Sequence, residues 1–280
     1  MTTERGRLLA LSRVIEHQRV GGYDLPGDVL EAHSAYQRAQ AIPVPERPAL
    51  RHPDTAATAL VDQLASGQDV DLLATAGDIT AAQDEARRVD VAQQLYALVV
   101  ERVGERTSMV AIGAADRIIT EHLRPAHTQV LDDAHGHAAK LGGASLDGPG
   151  WDAPAKVRTA RRELAELADR LRAIRTARLD VITLAEQTPE HDTGHNFALL
   201  RRPQALAPGL SPGPRMLPRL DVPADPVSML VWLVTVAEPA EPWLPSTAEQ
   251  DAAWFDVFGQ AQQARRAAAV SARANAGASV

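Results

Sequence analysis

Four histidines, His122, His127, His135 and His137, fall within sixteen residues, with Asp132 and Asp133 among them. Imidazoles and carboxylates at this density are the raw material of a divalent-metal site, whose donors must converge on one point at about 2 Å each. On a helix turning ~100° per residue, setting His122 at zero puts His127 near 140°, His135 near 220° and His137 near 60°. The four therefore fan around the axis, and a straight helix cannot deliver them to one ion. Asp133 and His137, four apart, could supply two ligands, a third must come from elsewhere, and a kink at Pro125 would change the geometry. His191 and His195 form an HxxxH pair, flanked by Glu190 and Asp192, but Gly194 and the surrounding prolines argue against the helix that spacing needs. Both groups read first as solvated side chains, with a metal-dependent enzyme built on 122–137 as a third-ranked alternative. No cofactor is expected.

Arginine is the second chemical signal. Of 29 basic residues only Lys140 and Lys156 are lysines, so 27 are arginine. Arg158, Arg161, Arg162, Arg170, Arg172, Arg175 and Arg178 share one stretch, and guanidinium groups suit bidentate pairing with phosphates or carboxylates. A nucleic-acid-binding strip using Arg158, Arg161, Arg162, Arg172 and Arg175 is the main alternative function. Against it, Glu163, Glu166 and Asp169 interleave, stacking aromatics are missing, and a net charge of −7 provides no attractive global field. A salt-bridge-laced bundle helix is the simpler reading. The arginine excess, together with 51 alanines, also fits the codon usage of a GC-rich host.

Other chemistries are removed by composition. There is no cysteine, which eliminates disulfides, thiol nucleophiles and cysteine-ligated metals while leaving the compartment open. Neither lysine follows a glycine and no GxGxxG occurs, so the phosphate-cradling loops are absent. Ser145 follows Gly143-Ala144, but position 147 is Asp where a nucleophile elbow needs glycine. The remaining candidates for contact are aromatic: Trp232, Trp243, Trp254, Phe255 and Phe258 concentrate near the C-terminus of a chain that is only 4% aromatic. Tryptophan is enriched at interface hot spots, and a small module equally needs such residues for its own core.

The elements that must carry these residues follow from proline placement. Prolines are missing from Asp54 to Arg124, from Ala155 to Thr188 and after Pro245, and these are the stretches where long helices can form. Short helices are expected over 4–20 and 27–41, joined by Gly21-Gly22, and over 54–66 with Ala57, Leu60, Val61 and Leu64 on one face. A long helical segment spans 78–141. Thr80 and Gln83 offer a capping box at its start, Ile79, Ala82, Ala86, Val89, Val99, Val103 and Val110 form its stripe, and Pro125 kinks or breaks it. Residues 154–187 form the cleanest helix. Val157, Ala160, Leu164, Leu167, Leu171, Ile174, Arg178, Val181 and Ala185 follow heptad spacing, with Arg178 the one misfit. The 78–141 segment carries net charge −3 and 154–187 net charge +3, which favours pairing the two as an antiparallel hairpin. Residues 188–226, rich in Pro and Gly, read as a linker or arm. Residues 227–237 form an apolar run, strand or helix, too short to span a membrane. Ser246 and Glu249 open a last helix running to about residue 274.

The expected fold is therefore mainly α: short N-terminal helices (1–75), a long coiled-coil-like antiparallel hairpin (78–187), a Pro-rich arm (188–226) and a small Trp-containing C-terminal module (227–280). Leu, Ile, Val and Phe number only 64 residues, so the alanine-spaced stripes of the long helices make thin cores that a partner would complete. The function expected from this is non-enzymatic: a soluble scaffold or structural component that binds a protein partner or self-assembles, with no membrane association. Its expected place is the cytoplasm, or the virion if the chain serves phage assembly.

Overall fold

Alanine-rich, proline-free stretches have the highest intrinsic helix propensity and no side-chain entropy to lose, and helices form where that reasoning places them. The computed structural model describes residues 3–48, 52–142, 153–187, 196–206 and 220–259. The described residues are mainly α-helical and contain no strand, only an isolated antiparallel bridge between Leu200 and Pro242. None of their helices is long and apolar enough to cross a membrane.

The helices are α1 (Glu4–Gly21), α2 (Gly27–Gln40), α3 (Pro53–Ala65), α4 (Leu72–Gly113), α5 (Ala115–Arg117), α6 (Arg124–Leu141), α7 (Ala155–Leu184) and α8 (Pro226–Thr235), followed by α9, whose described part covers residues 247–259. The apolar run 227–237 is thus helical as far as Thr235, begun by Asp225, whose carboxylate accepts the Ser228 N–H at 2.8 Å. Two compact units divide the chain, one comprising Met1–Leu30 with Ser108–Val280 and the other Glu31–Thr107. The division falls inside α2 and α4, where composition gives no signal.

In the first unit α7 is central, packed by α1, by α6 and by α8. Leu11 and Val14 of α1, Leu164, Leu171, Ile174 and Val181 of α7, Val130 of α6, and Leu230 and Leu233 of α8 are all buried in one core. Of the segment expected to flank α7, α6 packs against it within this unit. Its second flank, α1, was not expected. Arg13 of α1 reaches the buried Asp180 of α7 at 2.6 Å, and Arg7 reaches Glu186 at 2.8 Å. The turn after α1 depends on Gly22, which has φ +67 and whose N–H closes the helix on the Gln18 carbonyl at 2.9 Å. A Cβ there would lie 3.0 Å from the Arg170 guanidinium, whose flexible side chain can yield, so it is the left-handed backbone that requires glycine.

Pro125 does not break the helix by itself. Residues Ile118–Leu123 form a π-helical turn in which the Arg124 N–H bonds the Ile119 carbonyl, and α6 restarts with Pro125 at its second residue. The wider turn accommodates the missing proline N–H while keeping Ile118, Ile119 and Leu123 buried.

Within Glu31–Thr107 one stripe of α4 is covered by residues 31–48. Thr107 donates to the Ala32 carbonyl at 3.0 Å, Tyr96 to Gln40 at 3.2 Å and Gln93 to Pro45 at 3.3 Å, and Arg47 pairs with Asp90 at 3.0 Å. Two sequence expectations are corrected here. Thr80 and Gln83 do not start the helix: Asp71 does, accepting the N–H groups of Leu73 and Ala74 at 3.0 Å, while the Thr80 hydroxyl bonds back to the Ala76 carbonyl in mid-helix. Val99 does not continue the stripe of Ala86 and Val89, which are buried; it is exposed on another face.

The expectation of an arm over 188–226 is also corrected where it can be. Residues 188–195 and 207–219 lie outside the described set, but Phe197 and Leu200 between them are fully buried. An apolar Phe197-Ala-Leu-Leu200 segment packs despite its Pro/Gly-rich surroundings, because burial of its side chains outweighs local composition.

Candidate functional site

Arg178, the heptad misfit, occupies the core position its spacing predicts. Heptad spacing directs it inward, where its Nε donates to the Pro245 carbonyl and its Nη2 to Gln250 Oε1, both at 2.6 Å. One turn earlier, Arg175 Nη2 donates to the Ala198 carbonyl at 3.1 Å. From α6, Arg124 Nε donates to the Leu244 carbonyl at 3.1 Å and its Nη2 pairs with Glu249. Three guanidinium groups on two adjacent helices thus hold the irregular segments around 198 and 244–245, bonding the Ala198, Leu244 and Pro245 carbonyls.

His127 sits in this arginine centre. It is buried, its Nε2 has no hydrogen-bond partner, and burial together with Arg175, Arg124 and Arg178 pushes its pKa down to about 3. The imidazole is therefore neutral at physiological pH. Burial and then Arg178 lower Arg175 to about 10, and its Nη1 is buried without a partner. Glu249 supplies the counter-charge. Burial pushes its carboxyl up, but the Ser246 N–H and Arg124 outweigh that and hold it below its ordinary range.

Ser246 and Glu249 form the capping box their spacing predicts. The Ser246 N–H donates to Glu249 at 2.8 Å and the Glu249 N–H to Ser246 Oγ at 3.3 Å. Ser246→Ala should cost about 1 kcal/mol by urea denaturation, the usual worth of an N-cap hydroxyl; an unchanged midpoint would show that Glu249 alone carries the cap.

Beside this centre opens a cleft of about 410 Å³ lined by Arg124, Arg201, Glu241, Trp243, Glu249 and Asp256. Both arginines are committed: Arg124 as above, and Arg201 at 5.7 Å from the Trp243 ring centroid and 3.8 Å from Glu241. The lining mixes both charge signs, with the carboxylates of Glu241, Glu249 and Asp256 set against the two arginines.

The histidines do not assemble. Among the described residues no group of three or more His, Asp or Glu could hold a metal ion. His127 faces the arginines, His135 Nδ1 lies 3.2 Å from the Val234 carbonyl, His122 and His137 are half-buried, and Asp133 accepts from Gln129 at 2.9 Å. His191 and His195 lie outside the described residues. The arginine strip is divided likewise: Arg175 turns inward with Arg178, Arg162 pairs with Glu163 at 3.1 Å, Arg172 pairs with Asp169, Arg158 is exposed and Arg161 half-buried.

The aromatic group packs largely within the chain. Trp243 Nε1 donates to the Phe197 carbonyl at 2.8 Å, Phe258 contacts Phe197 edge-on at 6.2 Å, Trp254 lies 5.1 Å from Phe258, and Trp232 packs partly buried on the core; Phe255 is half-exposed.

Exposed apolar side chains gather in Glu31–Thr107. Val91, Leu95, Leu98 and Val99 of α4 are between 42% and 57% exposed and share one face at i, i+4, i+7, i+8 spacing. No residue of α3 is buried, and its Val61 and Leu64 are also exposed, as are Leu72 and Leu73. This face went unread in the sequence because a second valine-containing stripe of α4, at nearly the same period, drew the assignment. Searched against known families, curated proteins and solved structures, the chain matches none of them.

Proposed function

We propose that this chain is a non-enzymatic helical interaction protein that serves as a scaffold or structural component of a larger assembly. The observation that carries the reading is the apolar face of α4, accompanied by α3, a helix with the apolar spacing of a packed element and no buried residue. A stable helix in water derives most of its stability from burying such a face, so an element of this kind is built for an external partner. The arginine centre supports the same reading from the other unit. Its guanidinium groups satisfy backbone carbonyls and one carboxylate, which is structural work.

Sedimentation velocity over a concentration series tests this. The expected result is a species heavier than the 30.0 kDa chain that lightens on dilution, or a protein partner retained by the immobilised chain. A strict monomer at every concentration that retains no protein would remove the proposal.

A further inference from the structure

We infer that the exposed seam of α4 is a homodimer interface in which two copies of the helix pair antiparallel. The inference rests on the interaction reading above and names its partner. Arg88, Val91, Leu95, Leu98, Arg102 and Glu105 follow one another at spacings of three and four, a continuous heptad seam with an apolar middle and charged ends. Every member is open to solvent: Val91, Leu95 and Leu98 are each more than half exposed, and the side chains of Arg88, Arg102 and Glu105 are 80%, 77% and 47% exposed. Residues 31–48 cover the opposite stripe through Tyr96, Gln93 and Thr107 and leave this one bare.

The charges select the occupant. In a parallel pair in register, Arg88 would face Arg88, Arg102 would face Arg102 and Glu105 would face Glu105, which places like charges together at each charged layer. Reversing the second helix about an axis between residues 96 and 97 turns every layer favourable or neutral. Arg88 faces the other copy's Glu105, Leu95 faces Leu98, and Val91 faces the aliphatic stem of Arg102, whose guanidinium already bonds Glu105 of its own helix at 3.0 Å. The seam is thus complementary to itself in one orientation, the property an isologous twofold interface requires. Val99 widens the apolar centre on one side.

The cysteine-free chain permits a direct test. Two full-length single variants, R88C and E105C, one carrying a mass tag, are mixed and oxidised. The antiparallel pair brings the two positions together and separates each from its own copy by 17 residues, about 25 Å along a helix, so the mixed disulfide should dominate. Charge exchange provides the second arm. R88E should weaken association, R88E/E105R should restore it, and L95E/L98E should raise the dissociation constant at least about thirtyfold, the scale of a hot spot, with unchanged helical circular dichroism because both leucines are exposed. Dominant R88C–R88C and E105C–E105C disulfides, or failure of R88E/E105R to recover, would overturn the pairing. Association that persists unaltered in L95E/L98E would overturn it too while leaving the broader interaction reading in place on another surface. A wild-type chain that stays monomeric would overturn the pairing, and partner capture would then decide the broader reading alone.

Discussion

Arg178→Met should destabilise the protein by about 3 kcal/mol, the largest effect of any single substitution considered. Methionine matches the length of the arginine stem and fits a heptad core position, so little cavity is created and packing changes contribute little. What is lost is the fork. The Pro245 carbonyl and Gln250 Oε1 each lose a guanidinium N–H bond of 2.6 Å. Gln250 is buried with Arg178, so water does not replace the bond freely. A hydrogen bond to a charged group contributes about 1.5–3 kcal/mol, and removal of the buried charge offsets part of the two that are lost. The loss should appear in urea as a lower midpoint at nearly constant slope, with earlier proteolysis of residues 245–259. Arg178→Lys should recover only part, because one ammonium cannot reproduce the planar fork toward two acceptors. A Met variant within about 0.5 kcal/mol of the parent, the range of an ordinary surface change, would mean that the arginine does not fasten the segment.

The second large effect concerns acid. His127 has a folded-state pKa of about 3, against an ordinary 6.5 in the unfolded chain, because burial and then Arg175, Arg124 and Arg178 oppose its protonation. As pH falls below 6.5 the unfolded state takes up a proton that the folded state refuses. Stability is therefore complete above that pH, declines through the interval and levels off near pH 3. One pH unit inside the window is worth about 1.4 kcal/mol, so the whole limb is on the order of several kcal/mol. His33, also lowered by burial, adds a contribution of the same sign. Asp28, lowered first by its hydrogen bond to Arg117, and Glu249 act in the same direction in the carboxylate range, at lower pH. Between pH 6.5 and 4.5 the histidines dominate. His127→Leu should flatten most of this limb and cost little at neutral pH, since Nε2 has no bond to lose. Parallel stability–pH curves for parent and variant in that interval would refute the assignment.

Helix positions were the most legible feature of the sequence. The first three helices match their expected bounds within about one residue, α7 follows its heptad to Arg178 and beyond, and the Ser246–Glu249 box sits where its spacing put it. Local signals of this kind, namely proline exclusion, caps and apolar period, act within one or two turns and survive any tertiary arrangement. What depended on tertiary choice was not legible. Heptad spacing recognised Arg178 as a core position and hydropathy marked it as wrong there; the resolution lies in the free carbonyls of residues 244–245, some seventy positions away, which periodicity cannot see. The partner of α7 was inferred from summed charge, yet α1, carrying Arg7 and Arg13 opposite Glu186 and Asp180, packs against it as well as α6. Composition read 188–226 as an arm because its prolines outweighed four residues, Phe197 to Leu200, whose burial decides their placement. On α4 two stripes share almost one period, and the sequence offers no means of saying which is covered until residues 31–48 are seen lying along Tyr96 and Gln93.

Amide hydrogen exchange of the full chain at low and high protein concentration tests most directly whether the exposed face of α4 is where this protein meets its partner. The expected result is slowing confined to peptides covering residues 88–105 as concentration rises, with α7 unchanged. Exchange that slows instead across residues 155–184, or that does not respond to concentration or to any captured partner in 88–105, would contradict it.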